Sequence, residues 1–84
     1  MTAHISHPAI IKRLKRANGH LASIVEMLAQ ERQCVDIAQQ LQAVENAIAS
    51  AKKTLIHEHI SHCLADGHDS GRVVEEFKAI AKYL

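Results

Sequence analysis

The chain has 84 residues, with ten Lys and Arg against nine Asp and Glu, seven His and two Cys. That length allows one domain and leaves no room for a separate catalytic unit, and the near-neutral balance names no partner by itself. Only Phe77 and Tyr83 are aromatic and much of the apolar content is alanine, so a lone core would be thin and burial between subunits is the expected remedy.

Residues 1–6 read as a short N-terminal arm, with His4 within it and His7 beside it. Pro8 suits the first turn of a helix. Ile10, Leu14, Ala17, Leu21, Ile24 and Leu28 then step by four and three, which predicts a helix over 8–30. Gly19 lies inside it at a modest cost in propensity. Gln30 to Gln33 is polar and forms a turn. From Cys34 the apolar positions recur as Ile37, Leu41, Val44, Ile48, Ala51 and Leu55, with no proline or glycine before Gly67, so a long helix is expected over 34–65. Asp66-Gly67-His68-Asp69-Ser70-Gly71 breaks it. Asp69 or Ser70 can cap a third helix over 70–84, whose apolar side carries Val73, Val74, Phe77, Ile80, Ala81 and Leu84. No strand-like alternation occurs. The fold class is therefore all-α, short, long and shorter, with a central helix that overhangs its neighbours and packs on another protomer.

No run of about 18 apolar residues exists and no charged-then-apolar leader opens the chain, so a soluble, cytoplasmic protein with no membrane partner is expected. Two cysteines without secretory context argue against a structural disulfide and for thiols with chemistry.

His59 and Cys63 extend the stripe of the long helix by four and four more. Side chains four apart stand one above the other on a helix, so this pair can chelate an ion. A free cysteine alone is ordinarily a small buried hydrophobe. The segment His57-Glu58-His59-Ile60-Ser61-His62-Cys63 changes that reading by packing three imidazoles and a thiol into two turns. Cys34 belongs to the same stripe but lies 25 positions before His59 (59 − 34), roughly 37 Å along a helix axis. A second copy lying antiparallel brings it back, with the crossing near Ala47 and Ile48, where small residues cluster. The ligand spacing thus predicts a dimer with two sites, each shared between chains.

Thiolate and imidazole donors suit copper(I), nickel, cobalt or zinc, not magnesium or calcium. His62 lies near the stripe as an additional candidate ligand, and His57 points away. The segment is not H-E-x-x-H, since Ser61 stands where the second histidine would be, and no CxxC knuckle is present. Nothing suggests an organic cofactor or an enzyme. Lys12, Arg13, Lys15 and Arg16 on the first helix, with Lys52 and Lys53 near the crossing, are the candidate DNA-binding surface. Such a run can equally be a solvated face. No helix–turn–helix spacing accompanies it, so any DNA binding would lean on phosphate contacts and groove shape.

Several segments together resemble the CsoR/RcnR family of bacterial metal-sensing repressors. They are Lys12-Arg13-Leu14-Lys15-Arg16, Gly19-His20-Leu21, Cys34-Val35-Asp36, Gln42-Ala43-Val44 and His57-Glu58-His59-Ile60-Ser61-His62-Cys63, with Asp66-Gly67-His68 and Glu75-Glu76 behind them. The resemblance implies a three-helix protomer in an antiparallel four-helix-bundle dimer, paired into a homotetramer. It implies a repressor that holds operator DNA when metal-free and is released by metal, switching on efflux or resistance genes. Carried over by position, one transition-metal ion per protomer would sit between Cys34 of one chain and His59 and Cys63 of the other. Arg13 matches a DNA-contacting arginine and Lys53 a basic position, while Ser50 stands where copper sensors carry another arginine. Glu76 matches an acid that couples the ligand histidine to the third helix. Gln33 replaces the tyrosine often found before the first cysteine of copper sensors, and nickel and cobalt sensors recruit an arm histidine, for which His4 and His7 are candidates. On those grounds nickel or cobalt is favoured, with copper(I) the alternative. A thiol- or persulfide-responsive repressor would have no need of His59, and formaldehyde sensors carry a proline where Thr2 stands.

Overall fold

The computed structural model describes residues 6–66 and 70–84, with the backbone alone at 63–66 and 70. It contains three helices: α1 over His7–Ala29, α2 over Cys34–Asp66 and α3 over Ser70–Ala81. α1 and α2 form an antiparallel hairpin, and α3 packs on the second half of α2.

The turn between α1 and α2 is closed by the backbone. Glu31 N donates to Leu28 O at 3.1 Å and Arg32 N to Met27 O at 3.0 Å. This pair of bonds is the Schellman arrangement, which needs a left-handed residue after the cap. Glu31 takes that place at φ 56° without the freedom of a glycine. Gln33 O then accepts from Ile37 N at 3.1 Å and opens α2, and Asp36 in its first turn complements the helix dipole.

The apolar stripes divide in two. On α1, Ile10, Ala17 and Ile24 are buried; on α2, Ile37, Val44 and Ala51 are buried opposite them, with Ile56 apart from these and buried toward α3. Both sets repeat every seven residues, and Ile24, Ile37 and Val44 form one core cluster with Met27 against it. An antiparallel register with partner numbers summing to 61 (24 + 37, 17 + 44, 10 + 51) places the two sets opposite one another. The other half of each stripe is uncovered. Leu14, Leu21 and Leu28 on α1 and Leu41, Ile48 and Leu55 on α2 are 39–57% exposed. Each of these also repeats every seven residues.

The molecule measures 55 × 23 × 13 Å with a radius of gyration of 17.3 Å. Its least dimension is about one helix diameter, and a compact chain of this length would have a radius near 12 Å. The helices form a single layer. A layer buries only one side of its apolar residues and needs a second layer for a core.

Four element boundaries differ from the sequence expectation, the ends of α1 and α2 each by a single residue. α1 starts at His7, so that histidine belongs to the first helical turn and not to an arm. α3 stops at Ala81, where Tyr83 N and Leu84 N turn back onto Ile80 O and Ala81 O. Of its expected apolar side, Val73, Ile80 and Ala81 are half-buried, while Val74, Phe77 and Leu84 are exposed, because one helix of α2 covers a narrow face of α3. Ser70 is the first residue of α3 rather than its cap; Asp69 and His4 lie outside the described residues.

Candidate metal centre and basic groove

The thiol and imidazole residues occupy the two ends of α2. Cys34 is the first residue of the helix and is exposed. His59 and His62 are half-buried near the other end, and Cys63 continues the same helix. The helix is unbroken between them, so the 25 residues from Cys34 to His59 extend roughly 37 Å. Among the described residues of one chain, no three His, Cys, Asp or Glu side chains come together to hold a metal ion. The uncovered line Leu41, Ile48 and Leu55 runs between the two ends, with Cys34 seven residues before it and His59 four after.

Around His59 the three helices meet. His7 of α1, Leu55 and His59 of α2 and Ile80 of α3 line one cavity of about 250 Å³. Beside it, Ser6, Thr54, His57, Glu58 and Ser61 line a second, where Ser6 N donates to Glu58 Oε1 at 3.4 Å. Ser6 leaves its own hydroxyl out of the capping role, so α1 starts against the ligand-bearing stretch of α2 through its backbone. His57 is exposed. Glu76 on α3 accepts from Arg72 Nε at 3.2 Å.

The basic residues do not form one patch. Four cations within five residues circle more than a helical turn, and the fold separates them. Arg13 and Arg16 line a groove between α1 and α2 with Ala17, His20, Ala47 and Ser50, whereas Lys12 and Lys15 are exposed outside that groove. Arg13 Nη1 donates to Thr54 Oγ1 at 3.4 Å, and the His20 ring pairs with Gln40 Oε1. Lys52 and Lys53 line a separate cavity with Ile56, Tyr83 and Leu84 near the end of α3. Ser50 belongs to both linings and joins the two cationic sets. The hairpin therefore has a basic groove along one edge and the uncovered leucine line along the other.

Sequence reasoning gave no role to His20 or Glu58, which it named only within matching segments, and did not single out Gln40 or Thr54. The signal was available in the register: once the heptads are paired antiparallel, Thr54 falls opposite the first turns of α1 and Gln40 opposite His20.

A model of metal-sensitive transcriptional repressors matches residues 6–83. This chain belongs to that family. Among its relatives is the copper-sensing transcriptional repressor CsoR of Mycobacterium tuberculosis (strain H37Rv), 34% identical over 76 residues, which are 86% of this chain and 64% of that protein. The copper-sensing transcriptional repressor RicR of the same strain is 35% identical over 77 residues, covering 84% and 80%. CsoR of Bacillus subtilis (strain 168) is 40% identical over 62 residues, covering 74% and 61%. The chain thus spans somewhat under two thirds of the length of the CsoR proteins it matches. The family consists of transcriptional repressors, which agrees with the sequence reading against an enzyme. Among the described residues, no helix is long and apolar enough to cross a membrane.

Proposed function

We propose that this chain is a copper(I)-responsive transcriptional repressor that works as an antiparallel dimer, with each metal site shared between protomers. One observation carries the reading. The candidate ligands stand at the two ends of an uncovered heptad line, on a molecule one helix thick. A second copy laid head to tail along Leu41, Ile48 and Leu55 supplies the missing layer, and the same move brings Cys34 to His59 and Cys63 of the partner subunit. Completing the burial of six half-exposed side chains per protomer is worth on the order of 1 kcal/mol each. Twelve in a dimer offset an association cost of about 4–15 kcal/mol. Ile11 and Val25, 52% and 57% exposed, widen the apolar surface on α1 and offer a face for pairing dimers into a tetramer.

Two thiolates and an imidazole suit a soft cation, and copper(I) most of all. The names of the relatives point the same way. This reading replaces the preference for nickel or cobalt drawn from the arm histidines and Gln33. The nickel or cobalt reading keeps one supporting observation: His7 lines the same cavity as His59 and could add a nitrogen.

The basic groove is the proposed DNA surface, with Arg13 and Arg16 on phosphates and Ser50 bridging to Lys53. Metal binding would tie the ends of two α2 helices together, and the start of α1 rests on that same part of α2 through Ser6 and Glu58. The metal-bound dimer would then hold its grooves in an arrangement that no longer fits DNA, which is coupling between two sites.

The deciding experiment is anaerobic titration of the purified chain with copper(I) and with nickel(II), read by X-ray absorption, alongside its mass in solution. A dimer or tetramer with sulfur-dominated copper binding supports the proposal. A nitrogen-rich nickel site lost on His7→Ala would establish the second reading, and a monomer would end both.

A further inference from the structure

Gly19 lies in mid-helix on α1, two residues beyond the buried Ala17 and so about 200° around the axis. It faces away from α2. A methyl group built on it meets nothing within 4 Å. Nothing within the chain requires a glycine here, although glycine weakens a helix interior.

The surroundings are specific. Lys15 and Arg16 lie one turn before Gly19, Lys12 a further turn back, and Ala22 and Ser23 one turn after; all are exposed. Helical side chains lean toward the N-terminus, so Ser23 is the residue that covers the surface over Gly19. It does not stand out: Ser23 Oγ donates to Gly19 O at 3.3 Å. The result is a low notch in the helix surface, with two cations on one rim and Glu26 two turns beyond on the other side. Lys12, Lys15 and Arg16 outnumber the one carboxylate, Glu26, so the strip is net positive. A polyanion suits it.

We propose that Gly19 is the point where α1 makes its closest approach to the DNA sugar–phosphate backbone, seating a phosphate in the notch beside Lys15 and Arg16. Bare helix backbone admits such an approach, and any side chain would hold the strand off. The inference rests on the DNA-binding reading above and adds a second phosphate contact on the outer face of α1, with Arg16 standing between it and the Arg13 groove.

The test is Gly19→Ala, compared with the wild-type chain on DNA duplexes that the wild type selects from a random pool. The methyl has open space, so the variant should melt about 4 °C higher, with unchanged oligomeric mass and unchanged copper(I) titration. Its DNA affinity should fall about tenfold, the penalty for one extra methyl in a close-packed contact. Unchanged DNA affinity would overturn the proposal. A lower melting temperature or a changed oligomeric mass would also overturn it, by assigning the notch to a protein contact. Failure of the wild type to select any duplex would instead remove the repressor reading, and this inference with it.

Discussion

Arg13 and Thr54, 41 residues apart in the chain, are joined across the α1–α2 groove at 3.4 Å. Thr54 Oγ1 donates to Ser50 O at 3.1 Å, which turns an oxygen lone pair toward the guanidinium. Five residues farther along the same helix is His59. The stretch of α2 that carries a proposed metal ligand thus also orients a proposed DNA-binding cation.

Thr54→Val keeps the shape of the side chain and removes that acceptor. The pair is solvent-facing, so stability should change by no more than about 0.5 kcal/mol. Metal-free DNA affinity should fall about threefold, as one hydrogen bond that positions Arg13 is lost, and Thr54→Ser should restore it. Fluorescence anisotropy on the three proteins checks this. Equal affinity for Thr54→Val and wild type would mean that Arg13 needs no holding.

Ile48 lies midway along the uncovered line and is 47% exposed. Ile48→Glu should leave the hairpin helical, because about half of the side chain is already exposed and the α1 contact is carried by Ile37, Val44 and Ala51. In the proposed dimer it would bury an unpaired carboxylate near the two-fold axis, twice per interface, at a cost of several kcal/mol. Light scattering should find the variant as a monomer, with shared-site metal binding lost. A variant that remains dimeric would place the interface elsewhere.

These two cases also show what the amino-acid pattern could and could not convey. The steps of three and four located all three helices, and the distance between Cys34 and His59 is what makes a second chain the proposal. Which half of the stripe faces α1 was not legible, because Ile37, Val44 and Ala51 differ from Leu41, Ile48 and Leu55 only in the register of the hairpin. How the basic run divides was not legible for the same reason: Arg13 and Arg16 turn into a groove whose other wall, Ala47 and Ser50, is set by that register. Relay contacts such as Ser6 with Glu58 use a backbone amide, and side-chain patterns do not announce those.

Glu31 is a residue on which local energy and sequence disagree. It holds the left-handed position of the α1–α2 turn at φ 56°, where a side chain costs about 1 kcal/mol relative to glycine. Glu31→Gly should therefore stabilise the hairpin by about 0.5–1 kcal/mol, a rise of a few degrees in melting temperature, with DNA and metal binding unchanged. Thermal unfolding followed by circular dichroism would show it. Destabilisation would mean that the carboxylate has a role outside the turn.

Cys34 separates the metal site from the DNA surface most cleanly, since it is exposed at the start of α2 and distant from the Arg13 groove. Cys34→Ala should leave folding and metal-free DNA affinity within about twofold of wild type, a surface substitution removing no packing, while copper(I) no longer releases the DNA. In the wild type the coupling must be reciprocal: whatever factor copper(I) takes from DNA affinity, bound DNA takes from copper(I) affinity. Competition titrations with a copper(I) chelator, run with and without saturating duplex, measure that second factor directly. Equal copper affinity in the two conditions would mean that binding and release are unconnected. A Cys34→Ala protein unable to bind DNA at all would assign that cysteine to the architecture of the dimer instead of to sensing.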